Sequence, residues 1–136
     1  MKLFELQSPA EVTALEQYLD DLMRPVGLDV AFSRHFIERL LGRERPVTIP
    51  EIVDAFTKLK KKYKQKLKSY KKNPGQRAIL KDLDQDLNII FAIASPTELN
   101  DLPDLVNITI MRKDPDKFIP DTPSGSGEEL KVGTRT

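Results

Sequence analysis

The 136-residue chain has no cysteine and only one histidine, His35. The first absence removes disulfides and thiolate zinc sites together. The second excludes any site that needs two imidazoles. No apolar run approaches the roughly 18 residues of a membrane span. The opening MKLFELQSP meets acidic side chains before it can build the apolar stretch of a signal peptide. The six glycines never cluster ahead of a helix, so a glycine-rich phosphate loop is missing. No nucleophile elbow is present either.

What the chain does have is charge, unevenly placed. Hydrophobic residues make up 39% and charged residues 32%, a composition that suits one polar domain with a real core. The net charge of +1 hides a separation, because residues 58–72 carry nine lysines and no acid. Such a stretch attracts phosphate backbone. Equally, it is a helix buried on one stripe whose lysines keep the other faces in water. Tyr63 and Tyr70 fall on that stripe, which makes them core residues before stacking platforms.

Helix signals dominate the first half. Ser8-Pro9-Ala10-Glu11 combines a hydroxyl cap, an early proline and a glutamate three after the cap. Val12, Leu15, Leu19 and Leu22 then form a stripe that Pro25 and Gly27 end. Residues 32–43, FSRHFIERLLGR, predict a second helix with Phe32, Phe36 and Leu40 on one side and His35, Arg39 and Arg43 along another. Thr48-Ile49-Pro50-Glu51 repeats the start signature. Ile52, Phe56, Leu59, Tyr63, Leu67 and Tyr70 follow at helical spacing and predict one helix of about six turns.

Beyond Gly75 the period changes. Residues 77–81, 87–94 and 105–112 are short runs rich in isoleucine, leucine and valine, expected to pair as an antiparallel meander. In the last, Val106, Ile108 and Ile110 are expected to share the inner face. Phe36, Leu40, Phe56, Leu59, Tyr63, one of Ile90 and Phe91, Ile108 and Ile110 form the expected core. Residues 115–136 contain Pro115, Pro120, Pro123 and Ser124-Gly125-Ser126-Gly127, the composition of a flexible arm. The expected fold is therefore α+β: three helices, a three-stranded antiparallel meander and a C-terminal arm. The corresponding divisions are residues 1–30, 31–114 and 115–136.

Two constellations carry chemistry. Asp82, Asp84 and Asp86 alternate as in a calcium loop, but Leu87 and Ile93 occupy the glycine and closing-glutamate places. A polar hairpin turn is the better reading. The other joins His35, Arg39 and Arg43 on a helix to Lys81, Thr109, Arg112 and Lys113 on strands. RNA cleavage by general acid–base catalysis needs a base, a proton donor and cations for the phosphorane, and neither metal nor cofactor.

The order H-F-x-x-R-x-x-x-R from His35, T-I-P-E-I-V from Thr48, A-I-L-K-D from Ala78, L-N-I-I-F from Leu87 and T-I-M-R-K-x-x-x-x-F from Thr109 resembles a group of small phage-encoded proteins. These are similar in layout to the barnase/RelE-like ribonucleases, and the resemblance covers about residues 32–118. It implies a catalytic set of His35, Arg39, Lys81, Thr109 and Arg112. Independently of the resemblance, the basic residues Arg43, Lys60, Lys61, Lys64, Lys68, Lys71 and Lys113 are the ones expected to hold the nucleic acid. RNA or another polyanion is the expected partner, in host cytoplasm or virion. The alternative is a virion structural or adaptor protein that contacts phage structural proteins through residues 115–136.

Overall fold

The computed structural model describes residues 9–41, 47–72, 75–95, 102–112 and 128–133. Helix α1 (Pro9–Met23) buries Val12, Leu15, Leu19 and Met23 on one stripe and leads into a 3-10 turn (Arg24–Val26). Gly27 ends that turn at φ +86°, where the left-handed backbone favours a residue without Cβ. An added Cβ would also stand 2.5 Å from Cδ of Lys71. Strand β1 (Asp29–Phe32) and helix α2 (Arg34–Leu41) follow. Ser33 joins them as a cap: its Oγ accepts the Phe36 N–H and donates to the Ile108 carbonyl. Phe32, expected in the helix, ends the strand, and its ring still meets Phe36 with centroids 4.8 Å apart.

Helix α3 (Ile49–Lys62) starts with a complete capping box, Thr48 Oγ1 accepting the Glu51 N–H and Glu51 Oε1 accepting the Thr48 N–H. The single six-turn helix expected here is two. α3 stops at Tyr63, whose φ and ψ are −115° and 32°, and α4 (Lys64–Lys72) begins at the next residue. The apolar stripe nevertheless continues across the break, with Ile52, Phe56, Leu59, Leu67 and Tyr70 buried and Tyr63 half-buried. The break gives α3 its own C-terminus, where Lys60, Lys61 and Lys62 face the negative end of the helix dipole. No described helix is long and apolar enough to cross a membrane.

The sheet corrects the expected fold. Strands β2 (Arg77–Asp82), β3 (Leu87–Ala94) and β4 (Asp104–Arg112) do pair as antiparallel neighbours. Two further strands extend this centre: β1 pairs parallel to β4, and β5 (Glu128–Val132) pairs parallel to β2. The described architecture is thus four helices and a five-stranded mixed sheet, order β1-β4-β3-β2-β5. β5 comes from the stretch read as a flexible arm; Leu130 and Val132 are buried in the core.

A bulge also corrects the face of β4. Ile90 pairs with Thr109 and Phe91 with Asn107, which leaves Ile108 as the extra residue. Alternation therefore shifts, and Leu105, Asn107 and Ile110 stand beside Ile93, Phe91 and Ile89 on the helix-covered face. Val106 and Ile108, expected inside, are half-exposed.

Both sheet edges are closed by side chains from helices. At β1, the outward N–H groups of Val30 and Phe32 donate to Asp20 Oδ1 at 2.8 Å and Glu16 Oε2 at 2.7 Å. Four helical residues span about 6.0 Å and two strand residues about 6.6 Å. Carboxylates at i and i+4 on α1 therefore stand in for the carbonyls of a missing strand. At β5, Lys62 Nζ (2.8 Å) and Tyr63 Oη (3.1 Å) both donate to the Lys131 carbonyl.

Candidate nucleic-acid interface

The lysines of residues 58–72 divide by position. Lys58 is structural: its Nζ lies 2.8 Å from Asp82 Oδ2, 3.1 Å from Asp54 Oδ2 and 3.4 Å from Asp84 Oδ2. Burial alone would lower its pKa, but hydrogen bonds to Asp82 and Asp54 outweigh it and raise the value above 10.5. Asp82 is fully buried and also accepts Gln85 Nε2 and the Asp84 N–H. The ammonium thus sits among the carboxylates that sequence spacing likened to a calcium loop.

The remaining lysines are exposed or half-exposed, Lys62 with its ammonium on the Lys131 carbonyl of β5. Lys61, Lys62, Lys64, Lys68, Lys71 and Lys72 are exposed, and Lys60 and Lys66 are half-exposed. Leu67 and Tyr70 turn inward from α4, while Lys64, Lys68 and Lys72 follow one exposed line at i, i+4 and i+8, and Lys71, four on from Leu67, flanks the buried stripe. Among the described residues, none of Lys60, Lys61, Lys64, Lys68, Lys71 and Lys72 has a carboxylate within ion-pair distance. Lysines four apart repel by about 0.2–0.5 kcal/mol per pair, and α4 contains no acid to offset this. The Lys71 stem is anchored over Gly27, which fixes one end of the row.

The other expected site residues are scattered. Arg39 Nε donates to His35 Nε2 at 3.3 Å, so α2 brings this pair together, with His35 exposed. Thr109 is half-buried on β4 beside the bulge, and Arg112 ends that strand. Lys81 is taken elsewhere: it is buried on the sheet face opposite Asp82, and its Nζ lies 2.8 Å from Glu129 Oε2. β3 separates its strand from β4, a spacing of about 10 Å over two strand intervals. Arg43 and Lys113 lie outside the described residues. Lys72, outside the expected binding set, is exposed and lies four residues on from Lys68.

The Lys81 hydrogen bond holds the Glu129 carboxyl below its ordinary value of 4.5, against the opposing effect of partial burial. The folded state thus binds this proton less readily than the unfolded chain. Its stabilisation is present above pH 4.5 and disappears as pH falls through the lower folded value. Denaturant midpoints measured from pH 6 downward should fall more steeply in this acidic window for the wild type than for Glu129→Gln. Equal slopes would mean that the pair adds nothing to pH dependence.

No family model, curated protein or solved structure matches the chain.

Proposed function

We propose that the protein binds nucleic acid through the lysine row of α4 and the adjoining end of α3. One observation supports this reading above others: the row is exposed and, among the described residues, has no carboxylate within ion-pair distance, while Lys58 is fully paired. Unrelieved like charge within one helix is a local conflict of the kind that accompanies function. Phosphates would relieve it and release counterions as they bind.

The affinity of labelled RNA or DNA should therefore fall linearly on a log–log salt plot. Replacing Lys64, Lys68 and Lys72 by glutamine should flatten the slope by about 0.9 for each duplex phosphate left without its lysine, about 2.7 for all three. All three side chains are exposed and their replacement relieves like-charge repulsion, so the melting temperature should hold or rise slightly. Unchanged slope and affinity would leave the lysines as a solvated face.

A second reading rests on the exposed His35–Arg39 contact. If this pair moves a proton at a bound phosphate, RNA cleavage should persist in EDTA, and His35→Ala should slow it by about 10²–10⁴ without unfolding. Purified protein that leaves labelled RNA intact refutes it.

A further inference from the structure

We infer that the ligand of the lysine row is a double-helical phosphate backbone, bound without regard to base sequence. This rests on the nucleic-acid reading above and makes it narrower. Three properties of the surface carry it.

The first is which cation is used. Residues 46–76 contain no arginine. An ammonium is a compact point charge without arginine's planar fork, so a row of lysines alone is better suited to phosphate than to the geometry of a particular base edge.

The second is the loss of every aromatic side chain in this stretch as a stacking platform. Tyr70 is buried, and Tyr63 is half-buried with its hydroxyl committed to the Lys131 carbonyl. Lys62 Nζ lies 5.4 Å from the Tyr63 ring centroid, so a cation already occupies the ring's neighbourhood. Phe32, Phe36, Phe56 and Phe91 are all in the core. Among the described residues the one exposed large hydrophobic side chain is Tyr18, which lies on α1. Single-strand binders draw about 1–3 kcal/mol per base from stacking. Among the described residues this surface offers none, so a flexible strand ordered along it would gain from charge alone.

The third is geometry. Lys64, Lys68 and Lys72 repeat every four residues, about 6 Å along a straight α4. The helix sets that spacing at the backbone before binding, and a duplex presents phosphates that are likewise preformed. A duplex also carries twice the charge per length of a single strand, one per about 1.7 Å of axis.

The test is an anisotropy titration of the full chain at about 50 mM salt, where phosphate binding is strong. The probes are 20-mer duplex RNA, duplex DNA in two unrelated sequences, and a single strand of the same length. Both kinds of duplex should bind, and the two DNA sequences should agree within about twofold. The single strand should bind at least about tenfold more weakly, having neither charge density nor stacking in its favour. The Lys64→Gln, Lys68→Gln, Lys72→Gln variant should weaken all duplexes alike. A single strand that binds as tightly as the duplexes overturns this inference and leaves the nucleic-acid reading standing. So does a tenfold difference between the two sequences. Failure of every probe to bind overturns both.

Discussion

Phe56→Ala should lower the unfolding free energy by about 3–5 kcal/mol, because truncating a buried aromatic loses its transfer energy and leaves a cavity. Phe56 is fully buried on α3, in the same core as Ile52 and Leu59 and the inward residues of β2 and β5. Its site is walled by helix on one side and sheet on the other, so the surroundings have little freedom to collapse. Phe56→Leu keeps more of the volume and should lose clearly less. A loss below about 1 kcal/mol for the alanine variant would mean that α3 does not pack by this stripe.

Lys58→Met should cost about 3 kcal/mol, the lower end of the range for removing one partner of a buried ion pair. The reason lies in Asp82, which would stay buried without its cation. Gln85 and the Asp84 N–H would still donate to it, which keeps the loss from being larger. The double variant Lys58→Met with Asp82→Asn should recover much of the loss, since no buried charge remains. If the single and double variants are equally unstable, the methionine has disturbed packing and the ion pair is not the cause. Alkaline titration gives an independent check. The raised Lys58 pKa means that its stabilisation is whole below pH 10.5 and fades as pH rises through the folded value.

The parts of the fold that were legible are those whose signals are local. Strands β2, β3 and β4 announce themselves as apolar runs between turn residues, and the α3 start as a capping box. β1 was hidden because it has four residues and because Phe32 and Phe36 are spaced as a helix would space them. β5 was hidden inside a segment rich in proline, glycine and serine, where only Leu130 and Val132 mark an inward face. Both are parallel edge strands, and the residues they pair with lie far away in sequence. The break at Tyr63 escaped notice because the buried stripe runs through it without a change of period.

The candidate site was legible in the same uneven way. A lysine-only stretch is visible in composition, and so is the four-residue spacing of His35 and Arg39. The fate of Lys81 was not, because it depends on Glu129, which reaches Lys81 only when β5 docks. The division of one lysine run into a structural member and an outward row depends likewise on Asp82 lying on the helix side of β2.

The two edge seals differ in when they can close. β2 and β3 meet across a four-residue turn, whereas β1 must find a partner 75 positions away and β5 one 50 away, as Asp29 pairs with Asp104 and Ala78 with Glu128. Distant parallel pairings form late, because the loop must be closed before any contact rewards it. The central hairpins should therefore assemble first and the two edges join afterwards. During that interval β1 would be an unpaired strand, the kind that recruits other chains. Glu16 and Asp20 lie only 16 and 10 positions from the amides they bind, so α1 can occupy the outer side of β1 before β4 reaches the inner side. In that order of assembly the carboxylate pair would cover the outer amides of β1 while its inner side still waits for β4.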